Sequence, residues 1–449
     1  MTKRRIGIAL FILLIVIITC AALALREPSS PFASSDKMDA STAELLKQGE
    51  YVARLSDCVA CHSIPGGAPF AGGLKMATPV GNIYTTNITP DTATGIGPYS
   101  LADFDRAVRK GVAKDGHRLY PAMPYPSYVK LSDEDIRALY AWFRQDVKPV
   151  NQQNKPSDIP WPLNMRWPLA FWNTVFTPTN SWQPKAVKDP QWNRGAYLVE
   201  GPGHCGSCHT PRSLAFNEKG LDDSSEHFLA GASLDGWYAP SLRGDANTGL
   251  ARWSEGDIFT FLKTGRNQHG VVFGSMADVF NNSTQYMSDD DLKAIAHYLK
   301  SLPAGSNNQQ QEWHYDDSTM SKLTVSERLK TPGAQTFMTR CSSCHAADGK
   351  GQAPWIPPLA GATSMLVDDS SSINVTLNGS ARVVADGMPD AYRMPPFRKQ
   401  LSDKEIADVL SFIRTSWGNT GTTVKQESVK QLRERTDPAS SNVIILQMR

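Results

Sequence analysis

Six of the seven cysteines fall in three pairs, each followed by a histidine: Cys58-Val59-Ala60-Cys61-His62, Cys205-Gly206-Ser207-Cys208-His209 and Cys341-Ser342-Ser343-Cys344-His345. Cys-x-x-Cys-His is the attachment signature of c-type haem. Two intervening residues bring both sulfurs to one face of a helical turn, where each can form a thioether to a haem vinyl group. The adjacent histidine then lies under the iron as its proximal ligand. Cys-x-x-Cys also serves zinc ribbons and redox disulfides. Zinc needs closed sets of four ligands, and a redox pair comes with a βαβ pattern that this sequence lacks. Three matches in one chain therefore point to three covalently bound haem c groups, on Cys58 and Cys61, Cys205 and Cys208, and Cys341 and Cys344, with His62, His209 and His345 as iron ligands.

A methionine sulfur opposite the histidine raises the reduction potential of such a centre. Met123, Met276 and Met394 lie 61, 67 and 49 residues after their histidines, each in a loop just before a closing helix. With 13 methionines in the chain, position is what selects these three; Met287 and Met388, and the histidines His117 and His269, compete with them. A proximal histidine also needs a partner for its second ring nitrogen, commonly a backbone carbonyl. Tyr238–Leu242 and Pro357–Leu359 fit that role for the second and third sites, and Thr85–Ile88 stands in the corresponding place for the first.

The elements that must hold these groups recur with them. Before each motif lies a helical pattern with an early glycine, at Gly49, Gly195 and Gly333. After each comes a Gly/Pro-rich loop, the methionine, and then Ser-Asp at 132–133, 288–289 and 402–403 opening an amphipathic helix. Serine caps a helix N-terminus and the acidic residues suit its first turn. The expected fold is mainly α, with three tandem cytochrome c-type domains at 42–150, 189–303 and 329–418. A Trp/Pro-rich linker (151–188), a second linker (304–328) and a polar tail (419–449) complete this reading. The first linker holds Trp161, Trp167, Trp172 and Trp182, which fit either packing between domains or a docking surface for a partner or a membrane, packing being the first choice.

The chain has 449 residues, with 46 Lys and Arg against 44 Asp and Glu. That balance leaves no basic field for nucleic acid. Lys3-Arg4-Arg5 precedes an apolar run from Ile6 to Leu25, so residues 1–25 read as an export signal cleaved after Ala24 or as a retained N-terminal anchor. Either route places the body of the protein outside the cytoplasm, at the periplasmic face of the cytoplasmic membrane. Cys20 falls inside the apolar run, and the six paired sulfurs are expected in thioethers rather than disulfides.

Gly81-Asn82-Ile83-Tyr84-Thr85-Thr86-Asn87-Ile88-Thr89-Pro90-Asp91, Leu119-Tyr120-Pro121-Ala122-Met123-Pro124-Tyr125, Gly203–Arg212 and Gly274–Val279 resemble the triple-haem cytochrome c subunits of membrane-bound bacterial dehydrogenases. The resemblance spans residues 45–418. It implies Met123, Met276 and Met394 as distal ligands and an electron path from a flavin- or pyrroloquinoline quinone (PQQ)-dependent large subunit to ubiquinone. A small third subunit is a further partner on this reading. Gluconate is the first expected substrate of the complex, with sorbitol, fructose and alcohol behind it. The chain itself is then an electron-transfer subunit and not the substrate-oxidising one, in keeping with the absence of a dinucleotide fingerprint, nucleophile elbow or P-loop. The alternatives are a multihaem peroxidase or reductase, which needs an iron with an exchangeable site, and a cytochrome c module of a terminal oxidase.

Overall fold

The computed structural model describes residues 11, 12, 19, 25–32, 42–78, 80–234, 236–305 and 311–437. The expected signal or anchor, including Cys20, lies almost wholly outside them, as does the apolar stretch 443–446. The described chain is mostly helical, with three short antiparallel hairpins. No helix among the described residues is long and apolar enough to cross a membrane.

Three helical units follow one another, each with its own apolar core. In the first, the Ala43–Leu55 helix crosses Asp133–Gln145. In the second, Pro190–Glu200 crosses Asp289–Ser301, and in the third Ala334–Arg340 crosses Asp403–Arg414. The early glycines mark where the backbones meet. A Cβ on Gly49 would stand 2.1 Å from the Ala138 carbonyl oxygen, one on Gly195 2.0 Å from that of Ala294, and one on Gly333 2.1 Å from that of Asp408. Only a residue without a side chain permits that approach. The three closing helices start where Ser-Asp places them: Ser132, Ser288 and Ser402 each accept a hydrogen bond from the third backbone N–H of their helix.

The first and second units meet through reciprocal contacts. Tyr51 donates to Asp291 at 2.7 Å and its hydroxyl receives the Ser288 N–H. Tyr197, two residues after Gly195 as Tyr51 is after Gly49, donates to Asp135, and its hydroxyl receives the Ser132 N–H. Such an exchange is what a two-fold pairing of similar surfaces produces. The third unit carries Gln335 and Glu405 at these places and is joined differently. Its Val384–Ala385/Met388–Pro389 hairpin grips the second unit's Met276–Asn282 helix and the turn after it. The Asn281 side chain accepts from the Val384 N–H, and Gln285 donates to the Val384 carbonyl.

The described parts of the segments between units carry structure of their own. The first linker forms a helix, Leu169–Phe176, that the sequence pattern did not reveal. Its tryptophans divide: Trp172 and Trp182 pack on Tyr125 and Tyr197, whereas Trp161 and Trp167 are 78% and 56% exposed. Within the segment read as a polar tail, residues 426–435 form the Gln426–Arg435 helix, with Val429 and Leu432 buried in the third core.

Candidate haem-binding sites

Each Cys-x-x-Cys-His motif makes a single helical turn beside the N-terminal helix of its unit. None of the six cysteines is in a disulfide, and burial pushes the thiols of Cys58, Cys205 and Cys341 up to about 12. Buried neutral thiols suit thioethers better than thiolate ligation. Among the described residues no cluster of three or more His, Cys, Asp and Glu side chains could hold a metal ion by itself.

The three histidines share one arrangement. The Nδ1 of His62 lies 2.7 Å from the Thr86 carbonyl oxygen, that of His209 2.7 Å from that of Pro240, and that of His345 3.0 Å from that of Pro357. All three acceptors lie within the stretches expected from the sequence. A carbonyl accepts only from N–H, so Nδ1 carries the proton and Nε2 keeps its lone pair for a metal. Burial also lowers the pKa of each ring, which favours the neutral imidazole that iron requires.

What holds those carbonyls in place escaped the sequence reading. Gly72, Gly231 and Gly351 each donate their N–H to the carbonyl of the motif histidine, at 2.7, 2.8 and 3.0 Å. All three have positive φ, and each lies against the carbonyl-bearing loop: a Cβ would come within 2.5 Å of the Thr86 oxygen, 3.0 Å of the Ser241 nitrogen and 2.5 Å of the Pro357 oxygen. They follow their histidines by 10, 22 and 6 residues, so no fixed spacing betrays them. In the first unit the Asn87–Asp91 stretch completes the clamp. The Asn87 amide donates to the Val150 carbonyl at 2.7 Å, and its carbonyl oxygen receives the Thr89 N–H.

The methionines differ in setting. Met123 is half-buried against the first core, as is Cys58. Met276 opens a helix and packs on Phe280 and Val383 at the junction of the second and third units, while Cys205 lines the second core. That Met276–Asn282 helix also rests against the first unit's Cys58–Cys61 turn. Met394 is half-buried, and its backbone is pinned by Ser380 through two hydrogen bonds of 3.0 and 3.1 Å. Of the competitors, Met388 is 75% exposed on its hairpin and Met287 is buried in the second core beside Cys205. His117 is tied to Asp115, and His269 stacks on Trp253 at 5.0 Å.

Comparison with known proteins agrees with this chemistry. The cytochrome c family model matches residues 331–417, which include Cys341, Cys344 and His345. The gluconate 2-dehydrogenase cytochrome c subunit of Pantoea cypripedii is 51% identical over 407 residues, 88% of this chain and 91% of that protein. The chain belongs to the cytochrome c subunits of dehydrogenases. The cytochrome c subunit of a quinone alcohol dehydrogenase from Komagataeibacter europaeus is 50% identical over 90% of this chain and 87% of its own length. The fructose dehydrogenase cytochrome subunit of Gluconobacter japonicus is 35% identical over 86% and 82%. A cytochrome c domain implies covalently bound haem c, and the thiol pairs with a carbonyl-fixed imidazole beside them fit that group.

Proposed function

We propose that all three units are cytochrome c domains and that the chain carries three haem c groups. It passes electrons from the large subunit of a dehydrogenase to ubiquinone at the periplasmic face of the cytoplasmic membrane. The observation that carries the reading is the threefold set of His Nδ1 to backbone carbonyl contacts. When bound, haem c supplies one-electron chemistry at a potential set by its axial ligands and surroundings. The chain's part is to attach, orient and shield. Cys58 and Cys61, Cys205 and Cys208, and Cys341 and Cys344 attach the groups. Thr86, Pro240 and Pro357 fix the tautomer and ring plane of the three histidines. Met123, Met276 and Met394 would supply the second protein ligand to each iron.

The partner is a flavin- or PQQ-dependent large subunit, with a small third subunit in the complex and gluconate as the first substrate to test. The relatives named for gluconate and for alcohol oxidation are almost equally similar. Co-purification from the native membrane with identification of the large subunit decides between them. Iron and haem analysis of the purified chain tests the count: three haems are expected, falling to two when Cys205 and Cys208 are both changed to alanine. A wild-type content of one refutes the reading.

A further inference from the structure

The exposed part of the first linker is rich in large apolar side chains. Trp161, Leu163 and Met165 lie on the turns that lead into the Leu169–Phe176 helix. Trp167, Phe171 and Val175 follow at spacings of four, so they share one side of it. Trp167 and Phe171 meet edge to face with centroids 6.2 Å apart, and Val175 is 71% exposed. The opposite side is fixed to the body. Asn173 accepts from the Tyr125 hydroxyl at 2.7 Å and donates to the Lys110 carbonyl at 3.1 Å. Trp172 donates to the Ala215 carbonyl at 2.8 Å, which places the exposed Leu214 and Phe216 of that turn alongside. A rigidly held apolar face of this size marks an interaction surface on a soluble body.

Two observations say what covers it. Residues 151–188 carry Lys155, Arg166, Lys185 and Lys188 against the single carboxylate Asp158. Exposed tryptophan in a stretch of net positive charge is the composition of a membrane interface. The face also abuts the end of the apolar N-terminal run. Arg166 donates to the Arg118 carbonyl at 3.1 Å, and the Arg118 guanidinium donates to the carbonyl of Arg26, the first residue after that run, at 3.0 Å.

We propose that the face formed by Trp161, Leu163, Trp167, Phe171 and Val175 seats in the headgroup and acyl boundary of an anionic bilayer, beside the point where the chain emerges from its apolar N-terminal run. This rests on the membrane location proposed above and adds which surface faces the lipid.

The test uses the full-length haem-loaded chain in vesicles of phosphatidylglycerol and phosphatidylethanolamine that contain a lipid with a photoactivatable group near the headgroup. Lipid adducts are mapped by mass spectrometry. Adducts are expected within residues 160–176 and 211–217. The Trp161→Ser/Trp167→Ser/Phe171→Ser variant, checked for unchanged haem content, should lose about tenfold or more of the adduct yield in the first of these segments. If other segments are labelled and 160–176 is not, the proposal is overturned while the membrane location stands. If nothing is labelled, both fail. With the native complex in the same vesicles and a protein cross-linker added, cross-links from 160–176 to the large subunit or to residues 438–449, without lipid adducts, identify a different occupant and also overturn it.

Discussion

Replacing Gly195 by alanine sets two effects of known sign against each other. Alanine is the better helix former by about 0.8–1 kcal/mol, so in an open helix the change stabilises. At Gly195 the added Cβ would stand 2.0 Å from the Ala294 oxygen, 2.6 Å from the Ala294 carbonyl carbon and 2.7 Å from the Tyr298 Cβ. Two of those atoms are backbone, so no side-chain rotation relieves the contact. The two helices must separate by about 1 Å or more, which disturbs the Trp192–Tyr298 contact and the Tyr298 to Glu200 hydrogen bond of 2.7 Å. Overpacking costs about 1–3 kcal/mol, and three contacts under 3 Å, two of them to backbone, put this site at about 2–3 kcal/mol. The crossing therefore wins, with a net loss of about 1–2 kcal/mol. In a unit of this size that lowers the unfolding midpoint by roughly 5–15 °C. Gly256 supplies the control. It lies in the Glu255–Thr264 helix of the same unit, and the only atom near its added Cβ is the Ser254 hydroxyl oxygen at 3.6 Å. Gly256→Ala should keep the midpoint or raise it slightly. Thermal unfolding of the haem-loaded chain, followed by far-ultraviolet circular dichroism, measures both. A Gly195→Ala protein as stable as wild type would refute the close crossing, and a Gly256→Ala protein that falls equally would refute the attribution to contact.

Lys130 and Glu200 form a buried ion pair across the first two units at 2.9 Å, so Lys130→Met should cost about 3–5 kcal/mol near neutral pH by leaving the carboxylate unpaired. Burial already raises the Glu200 pKa despite the lysine. A raised folded pKa means stability that is present at low pH and lost as pH rises through it, so the Lys130→Met defect should shrink as pH falls towards 5; a urea-measured defect that is pH-independent would refute the pairing. His297, between Glu255 and Asp189, has a raised pKa; burial opposes the rise, but the two carboxylates outweigh it. His297→Gln should thus cost a few tenths of a kcal/mol below about pH 6 and nothing near pH 9, in the same urea titrations. Gly231→Ala, at φ +88° against the Pro240 loop, should loosen the His209 to Pro240 contact and shift the midpoint potential of one haem while the others stay fixed. Met123→Ala, Met276→Ala and Met394→Ala should each lower one potential in a redox titration, and three unchanged sets of potentials would refute the ligand assignment.

Much of the site was legible because its chemistry is written in local spacing. Cys-x-x-Cys-His needs one helical turn, and a serine cap acts on the next three residues, so both can be read without knowing the fold. The acceptors Thr86, Pro240 and Pro357 were readable as stretches because a proline-bearing or Asn/Thr-rich loop must follow each motif. The glycines that clamp those loops were not, since loops of different length bring Gly72, Gly231 and Gly351 back to the same carbonyl from 10, 22 and 6 residues away. The Leu169–Phe176 helix was hidden for another reason: its exposed side is as apolar as its buried one, so it has no amphipathic pattern to detect. The Gln426–Arg435 helix hides in the opposite way, with only Val429 and Leu432 buried in a charged segment.

The joints between units bear on function because electron transfer between fixed centres requires fixed separations. A chain of domains on loose linkers would sample many separations and hop only in the closest. Here the joints are built like domain interiors. Lys130 and Glu200 are buried together, and Tyr51 and Tyr197 exchange hydrogen bonds with Asp291 and Asp135. Buried charged groups are tolerated only when their partners are held in place, so each joint works as a register. The Met276–Asn282 helix links all three units: it rests on the first unit's cysteine turn, belongs to the second and is gripped by the third unit's hairpin. A disturbance at that helix would reach the first and third units as well as its own. For a chain whose proposed task is transfer along a series, the second unit is therefore the one whose packing sets the spacing of the other two.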